Sequence, residues 1–178
     1  MNDTAAITDY HQRVAAGKLV EHQIVTELRK QGINLTDPTS HEDMSDKIDG
    51  WIVEKDGSRH SVQIKYREGG DDIIFEIIKD IDRNIPGRDM ESKAEFYLVV
   101  NRVGEGRLFE VKDIKDLAQK LLKYFESIKD TTLKDEWYNT GWELKVRRDR
   151  AHGNRKLMAF MSPTLFKVVK LWRKLLML

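Results

Sequence analysis

The sequence contains no cysteine, which removes disulfides and thiolate metal sites and suits a reducing compartment. No window approaches about 18 uninterrupted apolar residues, and the opening MNDTAAITDYHQ lacks a basic stretch followed by an apolar one. The expectation is a soluble, cytoplasmic chain with no membrane partner. Internal repeats and low-complexity tracts are also missing. The five histidines show no paired helical spacing, so His41-Glu42-Asp43 reads as surface polarity rather than as a metal site.

What is present is a globular composition, 40% hydrophobic and 34% charged over 178 residues, enough for one domain with a full core. The net charge of +1 is unevenly spread. Residues 131–178 hold eleven Lys/Arg against four Asp/Glu, a net of +7, which leaves −6 for residues 1–130. Such asymmetry points to a nucleic-acid contact or to a basic segment pairing with its own acidic core. The reading divides the chain into a core, 1–130, and a basic C-terminal extension, 131–178, packing on it.

The pattern predicts a long helix from Thr8 to Gln31 closed by Gly32, a polar loop NLTDPTSHEDMSD, and two strands, KIDGWIVE and RHSVQIKY, flanking KDGS. DDIIFEIIKDIDRN is ambiguous between strand and helix. AEFYLVVN and GRLFEVK read as strands, and DIKDLAQKLLKYFESIK as an amphipathic helix capped by Asp113. The last third reads as a basic hairpin, ELKVRR and RKLMAF around DRAHGN, then a helix opened by Ser162 and Pro163. The class is α/β with a central sheet. Trp137 and Trp142 read as core residues.

Alternation places Val62, Ile64 and Tyr66 on one face of the second strand and Ser61, Gln63 and Lys65 on the other. A three-residue loop Lys55-Asp56-Gly57, with glycine left-handed, pairs Glu54 with Ser58 and sets Asp49 opposite Gln63. A two-residue Asp-Gly turn instead mixes a carboxylate into the apolar face, so the first register is expected. One acid, one amide and one lysine then share a patch of sheet. Asp49, the Gln63 amide oxygen and the carbonyl of Ile64 are oxygen ligands of the kind Mg²⁺ takes, and Lys65 beside them suits activation of a water and offset of transition-state charge. The competing reading is the exposed polar face of an ordinary antiparallel sheet. Asp46 is a second acid nearby, placed in the loop. On the first helix Glu21 lies about 20° from Leu28 and about 40° from Val25 around the wheel. It sits on the apolar stripe, where a carboxylate needs a partner or a metal, or else snorkels at the edge of the stripe.

Three stretches resemble the PD-(D/E)xK phosphodiesterase superfamily, which includes restriction enzymes, Holliday-junction resolvases and recombination nucleases. GKLVEHQIVTELRKQG is similar to the resolvase-type first helix, with Gly17, Glu21, Leu28 and Gly32. DGWIV supplies the strand acid at Asp49, and VQIKYR resembles the Gln-x-Lys variant of Mrr-type restriction nucleases, with Gln63 where most members carry Asp or Glu. The resemblance covers residues 10–115. It implies a restriction-endonuclease-like core, a helix with a mixed central sheet, a catalytic hairpin and flanking helices, followed by the basic hairpin and helix. It further implies an endonuclease that cleaves DNA with Mg²⁺ or Mn²⁺, in which Glu21, Asp49, Gln63 and the Ile64 carbonyl hold metal and Lys65 acts on the water.

Arg67 at the end of the motif strand, and Arg147, Arg148, Arg150, Arg155 and Lys156 with His152 around the C-terminal turn, are the expected DNA contacts. Solvated strand ends and loops are the alternative for each. A branched- or single-strand nuclease and a catalytically silent nucleic-acid-binding module remain alternatives for the whole chain, and a homodimer is left open.

Overall fold

The computed structural model describes residues 3–70, 72–128, 141–149 and 153–172. Helix α1 runs Asp3–Lys30, longer at its start than the pattern predicts. Its end follows from local chemistry. Gly32 adopts φ 80°, Ile33 N–H reaches back to the Leu28 carbonyl at 3.0 Å and Gly32 N–H to that of Arg29 at 3.0 Å. This pair of bonds satisfies carbonyls the helix would leave open, and Ile33 packs in the same cluster as Leu28.

Strand β1 (Leu35–Thr36) and a single π-helical turn (Glu42–Asp46) precede β2 (Gly50–Val53) and β3 (Arg59–Arg67). The turn between them has the expected form. Gly57 takes φ 88°, Asp56 Oδ1 accepts from Ser58 N–H at 2.9 Å, and Glu54 N–H donates to Ser58 at 2.9 Å. Gly50 pairs with Val62; one residue further on, the same register sets Asp49 across from Gln63.

The ambiguous DDIIFEIIKDIDRN is a strand, β4 (Ile73–Asp80). Ile73, Phe75 and Ile77 are all buried, so the period of two wins once a second layer covers them. Next come β5 (Ile85–Pro86), the one-turn helix α2 (Arg88–Glu91), β6 (Phe96–Asn101), β7 (Gly106–Glu110) and α3 (Val111–Ile128). Helix α3 starts at Val111, so Asp113 lies inside the first turn, where its charge suits the helix N-terminus, rather than at the cap. The basic hairpin forms as β8 (Trp142–Arg148) and β9 (Arg155–Met161).

The helix expected after Ser162 and Pro163 does not form. Ser162 Oγ does accept from Thr164 N–H at 3.3 Å, but only a 3-10 turn follows, Pro163–Leu165. The chain then becomes β10 (Lys170–Trp172), which pairs with the edge of β7. A cap can start a helix, but the β-branched pair Val168-Val169 and an open strand edge favour extension.

Two sheets result, one ordered β1-β2-β3-β6-β7-β10 and one β5-β4-β9-β8. In the first, β3 and β6 are parallel while β2 and β7 run antiparallel to their neighbours. This is a mixed α/β architecture. Val62, Ile64, Leu98, Val100 and Leu108 pack on Ile24, Val25 and Leu28 of α1. On the opposite face Tyr97, Val99 and Phe109 meet Ile73, Phe75 and Ile77, Leu157, Ala159 and Met161, and Ile114, Ala118 and Leu121 of α3. Residues 131–178, as far as they are described, thus supply strands to both sheets. Among the described residues no helix is long and apolar enough to cross a membrane.

Helix α2 is held against β4 by a close approach. A Cβ on Gly87 would lie 2.0 Å from the Glu76 carbonyl oxygen, and Gly87 N–H donates to the Ile77 carbonyl at 2.9 Å. Gly87→Ala is therefore expected to destabilise the fold by about 1–3 kcal/mol through overpacking, read as a lower urea midpoint; an unchanged midpoint would mean that α2 is not docked this way.

Candidate active site

The site begins where β2 stops. Asp49 N–H donates to the Val62 carbonyl at 2.8 Å, and Asp49 Oδ2 accepts from Ile64 N–H at 2.8 Å. The carboxylate thus takes a backbone donor that a longer β2 would have covered. Because a strand residue turns its N–H and C=O to the same side, the Ile64 carbonyl points to this same edge. A bond to a strand N–H also keeps the Asp49 carboxylate near the plane of the sheet.

Glu21 of α1 comes to that edge. Glu21, Asp49 and Ile64 line one cleft of ≈ 190 Å³ together with Lys18, Asp37 and Asp43. Burial, and then the Asp49 charge, push the Glu21 carboxyl up to about 7. The Asp49 carboxyl is raised as well, by burial, against the lowering effect of the Ile64 N–H bond and of the Arg88 and Lys65 charges. Two carboxylates in a half-buried cleft each disfavour ionisation of the other unless a cation joins them.

Gln63 and Lys65 leave β3 on the opposite face, toward the second sheet. This face is not wet. Gln63 is 2% exposed, and its Oε1 is buried with no hydrogen-bond partner. Lys65 reaches Asp89 Oδ1 at 2.5 Å and lies over the Tyr97 ring, 5.4 Å from its centroid. The other Asp89 oxygen accepts from Glu76 N–H at 2.7 Å. The Tyr97 hydroxyl is raised above its ordinary range by burial and by Asp89.

Lys65 opens on a second, larger cleft of ≈ 510 Å³, whose cations are Lys47, Lys65, Arg67, Lys79, Arg88 and Lys156. Glu21 and Asp49 therefore share one cleft, Lys65 belongs to the next, and Gln63 is buried and lines neither. The Arg88 and Lys65 charges link the two clefts, since both lower the Glu21 and Asp49 carboxyls. Among the described residues no three His, Cys, Asp or Glu side chains gather in a metal-holding group. The oxygen donors at the Asp49 edge are instead two acids, Glu21 and Asp49, and the Ile64 carbonyl.

The expected DNA contacts are largely committed elsewhere. Arg67 forks onto the Asp72 carboxylate at 2.9 and 3.1 Å. Arg147 stacks on Phe160, 4.7 Å from the ring centroid, and Arg148 donates to the Gly153 carbonyl at 3.2 Å. Arg155 pairs with Asp82, and Lys156 lies between Glu76 at 3.1 Å and Asp149 at 2.8 Å. Arg150, His152 and Trp137 lie outside the described residues. Asp46 pairs with Lys93 at 2.7 Å, away from the site, and Trp142 packs on the core. Sequence reasoning missed Asp89 and Arg88, whose only local signal is the turn pair Pro86-Gly87, and set Asp43 aside as surface. Compared with protein-family models, curated proteins and solved structures, the chain matches none.

The raised Glu21 carboxyl has a signed consequence. Its folded value of about 7 exceeds the ordinary 4.5, so the metal-free fold binds a proton more tightly than the unfolded chain. Stability is then lost as pH rises from about 4.5 to about 7 and is flat in this respect outside that window. Urea unfolding of wild type against Glu21→Gln should show a steeper fall in wild type, the raised Asp49 carboxyl leaving a smaller fall in both. Parallel profiles for the two proteins would remove Glu21 from a buried acid pair.

Proposed function

We propose that the chain is a divalent-metal-dependent DNA endonuclease with a restriction-endonuclease-like core, working in a reducing, cytoplasmic setting. The observation that carries this reading is the meeting of Glu21, Asp49 and the Ile64 carbonyl at the open end of β2, beside the cleft that holds Lys65. The buried, unpartnered Gln63 oxygen supports it, because an amide oxygen left without a donor is costly unless something electropositive completes it. Oxygen-only donors suit Mg²⁺ or Mn²⁺ rather than a softer ion.

Glu21, Asp49, Gln63 and the Ile64 carbonyl would hold the ion, with Asp49 oriented by the Ile64 N–H. Bound there, the metal would supply Lewis-acid polarisation of a phosphate oxygen and a more acidic water. Lys65 offsets charge that develops on the phosphate in the transition state. Lys79 and Arg88, both exposed on the larger cleft, would give the DNA backbone its path to the site. A silent DNA-binding module is the second reading, favoured by the engagement of Lys65 with Asp89.

Incubation with plasmid, single-stranded and branched DNA, with and without Mg²⁺, separates the two and identifies the substrate form. Lys65→Ala is expected to lower kcat roughly 10²-fold with metal binding kept. Gln63→Glu should tighten Mg²⁺ binding and preserve cleavage. Full activity in Lys65→Ala together with unchanged metal affinity in Gln63→Glu would refute the reading. For the path of the DNA, Lys79→Glu and Arg88→Glu should weaken binding and lower the salt slope by about one for each contact, measured by anisotropy in Ca²⁺; an unaltered slope moves the DNA to another face.

A further inference from the structure

We propose that Asp89 is a positioning residue for Lys65: it holds the ammonium on the side of β3 that faces the basic cleft. The inference rests on the nuclease reading and assigns a role to a residue outside the hairpin.

Lys65 contacts Asp89 at 2.5 Å. A lysine stem is flexible, and its ammonium follows the nearest fixed carboxylate. Asp89 is fixed. Its side chain is 6% exposed, one oxygen is bound by the Glu76 N–H, and α2 is seated on β4 at Gly87, where no side chain fits. The Lys65 ammonium lies over the Tyr97 ring. Glu76 of β4 and Tyr97 of β6 thus hold the pair on the face of β3 turned toward the second sheet.

Asp89 thereby holds the lysine where a phosphate in the larger cleft would meet it. Without the Asp89 charge, the flexible Lys65 stem would lose its fixed partner and the ammonium its place on that cleft.

The test is a cycle of Asp89→Asn and Lys65→Ala, read by Mn²⁺ binding without DNA and by steady-state cleavage. Asparagine is isosteric and can still accept from the Glu76 N–H, so charge is removed with the turn kept. Asp89→Asn is expected to lower kcat about tenfold or more, with Mn²⁺ binding and KM for DNA within about threefold. In the Lys65→Ala background it should leave kcat unchanged, because no lysine is left to misplace. Equal losses of kcat in both backgrounds, or wild-type kcat in Asp89→Asn, overturn the proposal while a cutting, Mn²⁺-binding wild type leaves the nuclease reading intact. A wild-type protein that neither binds Mn²⁺ nor cuts DNA overturns both. Should Asp89→Asn fail to fold, amine labelling of the wild type decides: Lys65 is expected to react at least about tenfold more slowly than exposed Lys79 on the same cleft, and equal rates show that the ammonium is not held.

Discussion

A strand that outruns its neighbour leaves backbone donors and acceptors without partners, and the site of this protein is built on one such place. β3 continues past the end of β2, and the N–H of Ile64 has to be satisfied by something other than a strand. The Asp49 carboxylate does this, and in doing so it is held at the open edge of the sheet. Because the carboxylate is spent on one N–H only, its second oxygen and the Ile64 carbonyl stay on the same side. Glu21 reaches that edge because α1 lies on this face of the sheet, fixed by Ile24, Val25 and Leu28. Position of the acids is therefore set by packing several residues away from them.

The opposite face of β3 obeys a different constraint. It is turned toward the second sheet, on which the adjoining β6 packs through Tyr97 and Val99, and Gln63 is buried there, in a layer where polar groups are costly unless paired. The Lys65–Asp89 pair meets that cost with hydrogen bonds to both Asp89 oxygens. Breaking such a buried pair by removing one partner typically costs about 3–5 kcal/mol, although an apolar replacement of both can be neutral. The Gln63 oxygen is one of several buried groups among the described residues whose cost is not met within the protein.

The register of the β2–β3 hairpin was legible because two local signals agree, the left-handed glycine at Gly57 and the alternation of Val62, Ile64 and Tyr66. The placement of Glu21 on the α1 stripe was legible for the same reason, a period that one helix displays by itself. What a single strand does not display is its second neighbour. The Ser61, Gln63, Lys65 face looks solvated until a second layer faces it, and β4 was ambiguous because Ile74 and Ile78 interrupt the alternation that Ile73, Phe75 and Ile77 set. Asp89 comes from a four-residue helix too short for any pattern. The arginines of the C-terminal hairpin suggested a phosphate surface, but Arg155 and Lys156 meet Asp82 and Glu76, far away in sequence. The helix after Ser162 failed for a related reason: its cap is local, whereas the edge of β7 that draws β10 is not.

The pairing of β4 with β9 carries a consequence for how the chain is made. Ile73 is matched to Met161 and Ile78 to Leu157, so during synthesis β4 is out of the ribosome long before its partner. Through that interval it carries an apolar face and an unclaimed edge, the combination that invites pairing with another nascent chain. The sheet over the Lys65 face can close only after Met161 has emerged. Cells that produce a chain cut short before β9 would face an aggregation problem rather than a merely inactive protein.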